Sequence, residues 1–240
     1  MIKLAVSGCR GRMGQRIIHF ASQDKIFKLT TLLEHPNHPL FNEKMLQLPV
    51  HTDAFSALKG SQVLIEFTTP EATIQNLEAC LKNKVNMVIG TTGLSEDQIK
   101  KIKTASKKIA IVFSSNMSVG VNLLFKLTEL TASKTGAHYS IHMTEAHHIH
   151  KKDAPSGTAK TLAQIAEAAS RQKVEDIKSI REGEIIGDHS VIFESDEDVI
   201  TLTHHAKTRD IFAKGALVAA KFLAKKQQGL FSMQDVLGLK

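Results

Sequence analysis

Residues 145–159, EAHHIHKKDAPSGTA, crowd three histidines and two lysines into a short stretch. Like charges repel, so such a cluster indicates an anionic ligand and proton-transfer chemistry. Pro155 suits the first turn of a following helix. Ser156, Gly157 and Thr158 would then present backbone N–H groups and hydroxyls at the positive end of that helix. Repulsion among the cations would lower the pKa of a neighbouring histidine or lysine and so put proton transfer within reach of neutral pH. The stretch therefore predicts a site that binds a carboxylate and transfers a proton.

Other interpretations of this cluster remain open. His147, His148 and His150 offer three nitrogen ligands for zinc, but adjacent lysines oppose a dication and the sequence lacks HExxH or paired-cysteine spacing, so we expect no metal. Lys151 and Lys152 could instead form a solvated charged face, which would leave the DAPSGT tail without a role. One histidine of the three is expected to be structural, with its hydrogen bonds satisfied, and we assign that role to His150.

A glycine-rich turn, GCRGRMG, follows the first predicted strand at residues 8–14. Gly8, Gly11 and Gly14 allow a tight turn and a close approach of the backbone to a pyrophosphate at a helix N-terminus. Glu34 closes the second predicted strand, where an acid accepts the ribose hydroxyls of a dinucleotide. The spacing is a variant of the dinucleotide-binding fingerprint, and the alternative is a plain glycine-rich turn between a strand and a helix.

The residues around the ribose-binding acid bear on the choice of cofactor. Glu34 favours a free 2′-hydroxyl, whereas Arg10, Arg12 and His35 are close enough in sequence to balance a 2′-phosphate. We therefore expect the protein to use both NADH and NADPH.

Two further segments fit a cofactor site. GTTG (90–93) and SSNMS (114–118) each follow a predicted strand, so both fall at the carboxyl ends of parallel strands, where the ligands of such sheets bind. Ordinary loops have a similar composition, and that alternative stays open.

Composition excludes several classes of protein. The 240 residues are 42% hydrophobic and 23% charged, which is typical of a globular protein. The apolar runs are too short to cross a bilayer, and the first strand leaves no room for a signal peptide, so we expect a cytoplasmic protein without a membrane partner.

Cys9 and Cys80 form neither a disulfide framework nor a metal-ligand spacing. The net charge of +7 attracts phosphate backbones, but the lysines are dispersed and Trp is absent, so we expect an acidic small molecule rather than nucleic acid.

Strand-sized apolar runs alternate with helix-like segments through the first half of the chain. This alternation predicts an α/β fold with a doubly wound parallel sheet. The strands are predicted at 2–7, 27–33, 63–67, 86–90 and 109–114, and the helices at 14–24, 70–83 and 95–108.

Beyond residue 118 the pattern changes to that of an α+β domain. The predicted elements are helices at 119–133, 160–172 and 211–227, a strand at 137–146 and an antiparallel pair at 183–195 and 198–206. We expect a dinucleotide-binding domain formed by residues 1–118 plus 209–240 and a second domain at 119–208.

The histidine and lysine stretch closely resembles the E-A-H-H-x-x-K-x-D-A-P-S-G-T-A signature of the 4-hydroxy-tetrahydrodipicolinate reductase (dihydrodipicolinate reductase) family of bacterial lysine and diaminopimelate biosynthesis. The resemblance covers nearly the whole chain and includes SGCRGRMG, EFTTPE, VIGTTG, SSNMSVGVN and GLFSMQDVLGL. It implies a Rossmann-type domain and an α+β substrate-binding and oligomerisation domain whose sheet mediates a homotetramer. The implied reaction is hydride transfer from NADH or NADPH to a cyclic imine dicarboxylate, with loss of water, giving tetrahydrodipicolinate.

The resemblance also implies roles for individual residues. His147 matches the acid/base histidine of the family, and Lys151 matches its proton donor. The substrate carboxylates would be held by His148, Lys151, Gly157 and Thr158, with Ser156 at the same helix start. The positions that match cofactor contacts are Gly8, Cys9, Arg10, Gly11, Arg12, Met13, Glu34, His35, Gly90, Thr91, Thr92, Ser114, Ser115, Asn116 and Met117.

The chain departs from the family pattern at two places, and two other functions stay open. His35 stands where many members have arginine, and the segment between the SGTA helix and REGEIIGDH is shorter than in longer relatives. One alternative is another two-domain Rossmann dehydrogenase of amino-acid metabolism, similar to aspartate dehydrogenase, which would not need the histidine and lysine stretch. The other is a non-enzymatic dinucleotide-sensing protein, in which the acid/base residues would be expendable.

Overall fold

The computed structural model describes residues 1–40 and 43–239, which divide into two compact units. Unit 1 comprises Met1–Met117 and Phe212–Gly238, and unit 2 comprises Ser118–Ile211, to which Leu239 is also assigned. These boundaries lie within a few residues of those expected from the sequence. The functions assigned to the two domains stay a prediction.

Unit 1 is built on a parallel sheet. Within the described residues this sheet has seven strands in the order β11-β6-β5-β4-β1-β2-β3, and neighbouring strands pair in parallel. The order reverses beside β1, the position at which open α/β sheets bind ligands. The strands are β1 (Ile2–Ser7), β2 (Phe27–Leu33), β3 (Val50–His51), β4 (Val63–Glu66), β5 (Asn86–Ile89), β6 (Ala110–Phe113) and β11 (Gly229–Phe231).

The helices of unit 1 connect these strands and cover both faces of the sheet. They are α1 (Arg12–Gln23), α2 (Ala54–Ala57), α3 (Pro70–Asn83), α4 (Glu96–Ala105) and α8 (Met233–Leu237), together with α7 (Asp210–Leu223), which begins in unit 2. Along β1, Leu4 and Val6 pack into one core layer, whereas Ala5 packs into the other. The central strand is therefore buried on both faces, as expected for a doubly wound sheet.

Unit 2 is a mixed sheet covered by helices on one face. Its described strands have the order β10-β9-β7-β8, in which β7 and β8 are parallel and the other pairs antiparallel. Residues of both long helices pack against the buried face of β7 and β9. The elements are α5 (Val119–Thr135), a 3-10 turn (Gly136–His138), β7 (Ser140–His147), α6 (Gly157–Ser170), β8 (Asp176–Arg181), β9 (Asp188–Glu194) and β10 (Val199–His205).

The predicted fold class is confirmed, and the differences are local. β3, β8 and β11 were not predicted as strands. The strand expected at 137–146 begins only at Ser140, after a 3-10 turn. The strand expected at 183–195 begins at Asp188. Pro155 does not lie in the first turn of a helix, because α6 begins at Gly157 with Ser156 as its N-cap. The prediction for Pro155 was therefore wrong.

Among residues 1–40 and 43–239, none forms a helix long and apolar enough to cross a bilayer.

Gly14 gives a test of the packing between β1 and α1. A Cβ atom at Gly14 would lie 2.1 Å from the carbonyl oxygen of Gly8, a backbone atom that cannot rotate away. We expect Gly14→Ala to destabilise the protein by about 3 kcal/mol, the upper part of the usual range for overpacking. Thermal unfolding measures the loss, with Gly157→Ala as the control because no atom lies within 4 Å of its Cβ position. Equal melting temperatures for the two variants would contradict the close approach.

Candidate active site

The buried face of β7 changes from apolar to polar along the strand. Side chains of a strand alternate between its two faces, so Ile141, Met143, Glu145 and His147 share one face. All four are buried. The first two contribute to the core of unit 2, whereas the last two place a carboxylate and an imidazole at the carboxyl end of the strand. A polar pair in this position must find its partners inside the protein.

Glu145 and His147 form a buried hydrogen-bonded pair. Nδ1 of His147 lies 2.5 Å from Oε2 of Glu145. Burial by itself raises the pKa of Glu145, but hydrogen bonds from Arg181 and His147 outweigh it and lower that pKa to about 2. The carboxylate is therefore ionised at neutral pH, and Nδ1–H of His147 donates to it. This hydrogen bond fixes the tautomer and leaves Nε2 of His147 to exchange a proton.

Arg181 binds the same carboxylate from the neighbouring strand. The parallel register of β7 and β8 sets Arg181 beside His147. Its Nη1 donates to Oε2 of Glu145 at 3.0 Å, and its Nη2 donates to Oε1 at 2.8 Å. A bidentate pair of this kind fixes both direction and distance. Arg181 thus compensates the charge of a carboxylate that has no exposed surface.

His189 lies across the antiparallel pair, opposite Glu145. Its ring packs edge-on against that of His147, with the centroids 5.1 Å apart. Burial, together with the charges of His147 and other nearby groups, lowers the pKa of His189 to about 4, so this imidazole is neutral at neutral pH. Oγ of Ser156 lies 3.0 Å from Nε2 of His189 and accepts the N–H of Ala159. His189 therefore links β9 to the start of α6.

The start of α6 is tied to the same carboxylate. The N–H of Ser156 donates to Oε1 of Glu145 at 3.3 Å. Gly157 and Thr158 follow in the first turn, at the positive end of the helix dipole. The helix therefore still directs its positive end toward the sequence-predicted carboxylate position, although it begins two residues later than Pro155.

Lys151 lies on the loop between β7 and α6. Its Nζ is 2.8 Å from Oδ1 of Asp153. Burial raises the pKa of Asp153, but the hydrogen bond and charge of Lys151 outweigh it, and the pKa is lowered. Lys152, the next residue, is exposed. The two lysines therefore differ, since Lys151 is partly buried and paired and Lys152 faces solvent.

The three histidines of the stretch have different surroundings. His147 is the buried histidine with a hydrogen-bond partner, whereas the side chain of His150 is 73% exposed. Assigning the structural role to His150 was therefore wrong. His148 is partly buried, and its Nδ1 has no hydrogen-bond partner among the described residues. That nitrogen is itself buried, so His148 does not present it to solvent.

The cluster of Glu145, His147 and His189 also bears on metal binding. One ligand atom of each lies within 4.8 Å of the others. Both carboxylate oxygens already accept hydrogen bonds from Arg181, and a divalent cation there would lie beside a guanidinium. The geometry therefore favours a hydrogen-bonded site, and the absence of a metal stays a prediction.

The glycine loop of unit 1 borders a cavity of about 420 Å³. Gly8 has a φ of +65°, and a side chain at this position would contact Thr68 at 2.8 Å. Gly11 is the N-cap of α1 and has no side chain to accept the first N–H groups of the helix. A tight glycine turn at an uncapped helix start fits a pyrophosphate. Several residues predicted to contact the cofactor line this cavity, namely Gly8, Arg10, Gly11, Glu34 and His35.

Glu34 is held at the mouth of the glycine loop. Its carboxylate accepts the N–H of Arg10 at 2.8 Å and that of His35 at 2.9 Å. The guanidinium of Arg10 donates to the carbonyl oxygens of Leu40 and Glu43. The acid and the arginine of the predicted ribose site therefore lie together.

The other predicted cofactor residues lie elsewhere in unit 1. Gly90, Thr91 and Thr92 follow β5, and Ser114, Ser115 and Asn116 follow β6, at the carboxyl edge of the same sheet. Arg12 is exposed at the start of α1. Cys9 and Met117 are buried in the core, so any cofactor contact from these two comes through backbone atoms, whereas Met13 is partly buried against that core.

Sequence reasoning missed several residues of the two sites. In unit 2 these are Glu145, Arg181 and His189. In unit 1, the fully buried Glu66 accepts a hydrogen bond from Asn76 at 2.6 Å and another from Thr68, beneath the glycine loop. The alternation of side chains along the strand predicted at 137–146 offered one signal. It places Glu145 on the apolar face, where an acid needs a buried partner.

Family models match nearly the whole chain. The model described as dihydrodipicolinate reductase, N-terminus, matches residues 2–117, and the model described as dihydrodipicolinate reductase, C-terminus, matches residues 120–237. The chain belongs to the dihydrodipicolinate reductase family. The resemblance noted from the sequence is thereby confirmed.

Individual relatives agree with the family assignment. A 4-hydroxy-tetrahydrodipicolinate reductase of Nitrosomonas eutropha is 40% identical over 266 aligned residues, which cover 100% of this chain and 99% of the relative. A dipicolinate-bound dihydrodipicolinate reductase from Paenisporosarcina sp. TG-14 has a TM-score of 0.82 at 25% identity, covering 98% of each chain. An aspartate dehydrogenase from Thermotoga maritima has a TM-score of 0.54 at 12% identity over 94% of this chain and 98% of its own, a likeness of fold alone.

Gly187 provides a test of the environment of His147. A Cβ atom at Gly187 would lie 3.0 Å from Nε2 of His147 and 3.4 Å from its Cδ2. The imidazole cannot turn away without breaking its hydrogen bond to Glu145. We expect Gly187→Ala to lower kcat of the family reaction about tenfold, because a small displacement of a reacting group is costly. Steady-state kinetics and thermal unfolding together measure the effect. Full activity in the variant would contradict a role for Nε2 in proton transfer.

Proposed function

We propose that this protein reduces 4-hydroxy-tetrahydrodipicolinate to tetrahydrodipicolinate with NADH or NADPH, releasing water, in the biosynthesis of lysine and diaminopimelate. The observation that carries the proposal is the buried pair of Glu145 and His147 close to Lys151, in a chain that belongs to the reductase family. Such a pair supplies a fixed acid/base group beside a cation.

The substrate is a dianion, and the residues at the start of α6 suit it. Lys151 would bind a carboxylate oxygen through its ammonium, and His148 would contribute by its matching position in the family signature. The N–H groups of Gly157 and Thr158 would bind the other oxygens at the positive end of the helix. Ser156 would orient this end, because it caps the helix and binds Glu145.

Proton transfer falls to Lys151 and His147. Burial lowers the pKa of His147, and the charges of Lys151 and Arg181 lower it further, although Glu145 raises it. The imidazole therefore stays neutral at neutral pH, with Nε2 able to accept a proton. Lys151 donates a proton to the carbanion or enamine carbon that forms as hydride arrives, and His147 tunes or relays that proton.

The dinucleotide, when bound, supplies the hydride. Gly8 and Gly11 would hold its pyrophosphate, since their turn leaves room and the first N–H groups of α1 are uncapped. Glu34 would bind the ribose hydroxyls. Arg10, Arg12 and His35 would balance a 2′-phosphate, so we propose that both NADH and NADPH are used. The other contributors, by their matching positions, are Cys9, Met13, Gly90, Thr91, Thr92, Ser114, Ser115, Asn116 and Met117.

Two alternatives remain weaker. An aspartate dehydrogenase-like enzyme would share the fold of unit 1, but it would not need the anion-binding stretch at Lys151 and the start of α6. A non-enzymatic dinucleotide sensor would not need a buried acid/base pair, whose desolvation is costly. We also propose a cytoplasmic location, in keeping with two buried, free cysteines.

The outer face of the sheet of unit 2 suits the assembly that we propose, a homotetramer. Both long helices pack on the opposite face of this sheet. The strand register places Thr144, Ser190, Ile192, Thr201 and Thr203 on the outer face, beside the ion pair of His142 with Asp176. Such a surface is suited to a second sheet.

Reductase activity is the direct test of the function. Purified protein should oxidise NADH and NADPH only when supplied with the condensation product of pyruvate and aspartate semialdehyde, and pyridine-2,6-dicarboxylate should inhibit it. We expect Lys151→Ala and His147→Ala to lower kcat about 10²- to 10⁴-fold, the usual contribution of general acid/base catalysis. Lys152→Ala is the matched control and should keep full activity, because Lys152 faces solvent.

Dinucleotide affinity separates the two roles in that experiment. Titration of NADH fluorescence should give the same Kd for all three variants and the unsubstituted protein. Loss of kcat together with an equal loss of dinucleotide affinity would contradict the assigned roles. Oxidation of NADH with oxaloacetate and ammonia in place of the condensation product would instead support the aspartate dehydrogenase alternative.

Assembly through the outer sheet face is tested by a charge. We expect Ile192→Lys to convert a tetramer to smaller species, because a buried unpaired ammonium in an interface is strongly unfavourable. Light scattering after size-exclusion chromatography measures the mass. Val218→Lys, on an exposed position of α7 in unit 1, is the control and should remain a tetramer. A tetramer in both variants would place the interface elsewhere.

A further inference from the structure

We propose that Arg181 is a positioning residue, which through one guanidinium holds both the partner of His147 and the loop that carries Lys151. The proposal rests on the proposed function, and it adds a group that acts through Glu145 and the loop of Lys151. Arg181 ends β8, an edge strand of the sheet of unit 2.

The first half of the proposal concerns His147. Both carboxylate oxygens of Glu145 accept hydrogen bonds from Arg181, at 3.0 and 2.8 Å. The same carboxylate accepts Nδ1–H of His147 at 2.5 Å. A carboxylate held at both oxygens cannot rotate, so the imidazole it binds is fixed in direction. Arg181 therefore determines where Nε2 of His147 points.

The second half concerns Lys151. Nη2 of Arg181 also donates to the carbonyl oxygen of Asp153 at 2.5 Å. The carboxylate of Asp153 in turn lies 2.8 Å from Nζ of Lys151. One side chain thus connects the end of β7, by way of Glu145, to the loop of the proposed proton donor. Movement of this loop away from β8 would break that bond.

The charge of Arg181 matters as well as its geometry. His147 faces Glu145 on its own strand, Lys151 on the following loop, Arg181 on β8 and the neutral His189 on β9. Burial lowers the pKa of His147, Glu145 raises it, and Lys151 and Arg181 lower it. Without Arg181, the full charge of Glu145 would act on the imidazole and favour its protonated form.

Titration of His147 in two variants tests the proposal. The pKa of the imidazole is followed by ¹⁵N NMR in protein free of substrate and cofactor. Arg181→Met should raise this pKa above that of the unsubstituted protein, and Glu145→Gln should lower it, because the two substitutions remove opposite charges. Arg171→Met, at an exposed arginine after α6, is the matched control and should leave it unchanged.

Kinetics supply the second readout. We expect Arg181→Met to lower kcat about tenfold or more while the KM for NADH stays unchanged, and Arg181→Lys to recover part of the loss, since lysine keeps the charge but not the bidentate geometry. If Arg181→Met does not fold, Arg181→Lys and Glu145→Gln carry the same comparison. The pKa of His147 should stay close to that of the unsubstituted protein in Arg181→Lys and fall in Glu145→Gln.

Three results would be decisive. Opposite movements of the pKa of His147 in the Arg181 and Glu145 variants, with a fall in kcat, would support the proposal. A pKa that does not respond to Arg181, or unchanged kcat in Arg181→Met, would overturn it. An unsubstituted protein that lacks reductase activity but shows both pKa shifts would refute the proposed function alone, because the titration needs no substrate.

Discussion

Unit 2 depends on the pairing of one buried charge, the carboxylate of Glu145. A charge without exposed surface is tolerated only when it is paired and hydrogen-bonded. Arg181, His147 and the N–H of Ser156 meet that requirement, and they come from β8, the end of β7 and the start of α6. Satisfying one carboxylate therefore fixes three segments of the chain. Removal of one member of such a pair costs about 3–5 kcal/mol in other proteins.

The cationic character of the stretch follows from the same arrangement. With Glu145 already compensated by Arg181, its charge is not available to neutralise the groups that face the proposed substrate. In the proposed site, Lys151 and the start of α6 would consequently present positive potential to a dianion, while His147 stays neutral. A cluster that is unfavourable by itself thus becomes a site for an acidic ligand.

Most of the fold could be predicted because buried parallel strands are apolar runs bounded by turns. β1, β2 and α3 have the bounds expected from the sequence. β8 was missed because it is an edge strand with charged residues at alternate positions, and β3 because it has two residues. The start of α6 was misplaced since Pro155 satisfies the signal for a first turn, whereas Ser156 caps the helix.

The site was predictable in its residue types but not in its pairings. The stretch contains His147 and Lys151 in sequence, yet Arg181 and His189 reach Glu145 only through the registers of β8 and β9, which a single sequence does not specify. His150 was assigned the wrong environment because it lies beyond the end of β7, in a loop that exposes its side chain. Local sequence indicates which groups are close along the chain, and sheet register determines which of them are buried together.

A crystal structure of the protein with NADH and pyridine-2,6-dicarboxylate tests the central claim most directly. We predict carboxylate oxygens of the analogue within hydrogen-bond distance of Nζ of Lys151 and of the N–H groups of Gly157 and Thr158, with His147 still bound to Glu145. An analogue bound away from these groups, or a metal ion held by Glu145, His147 and His189, would contradict the account.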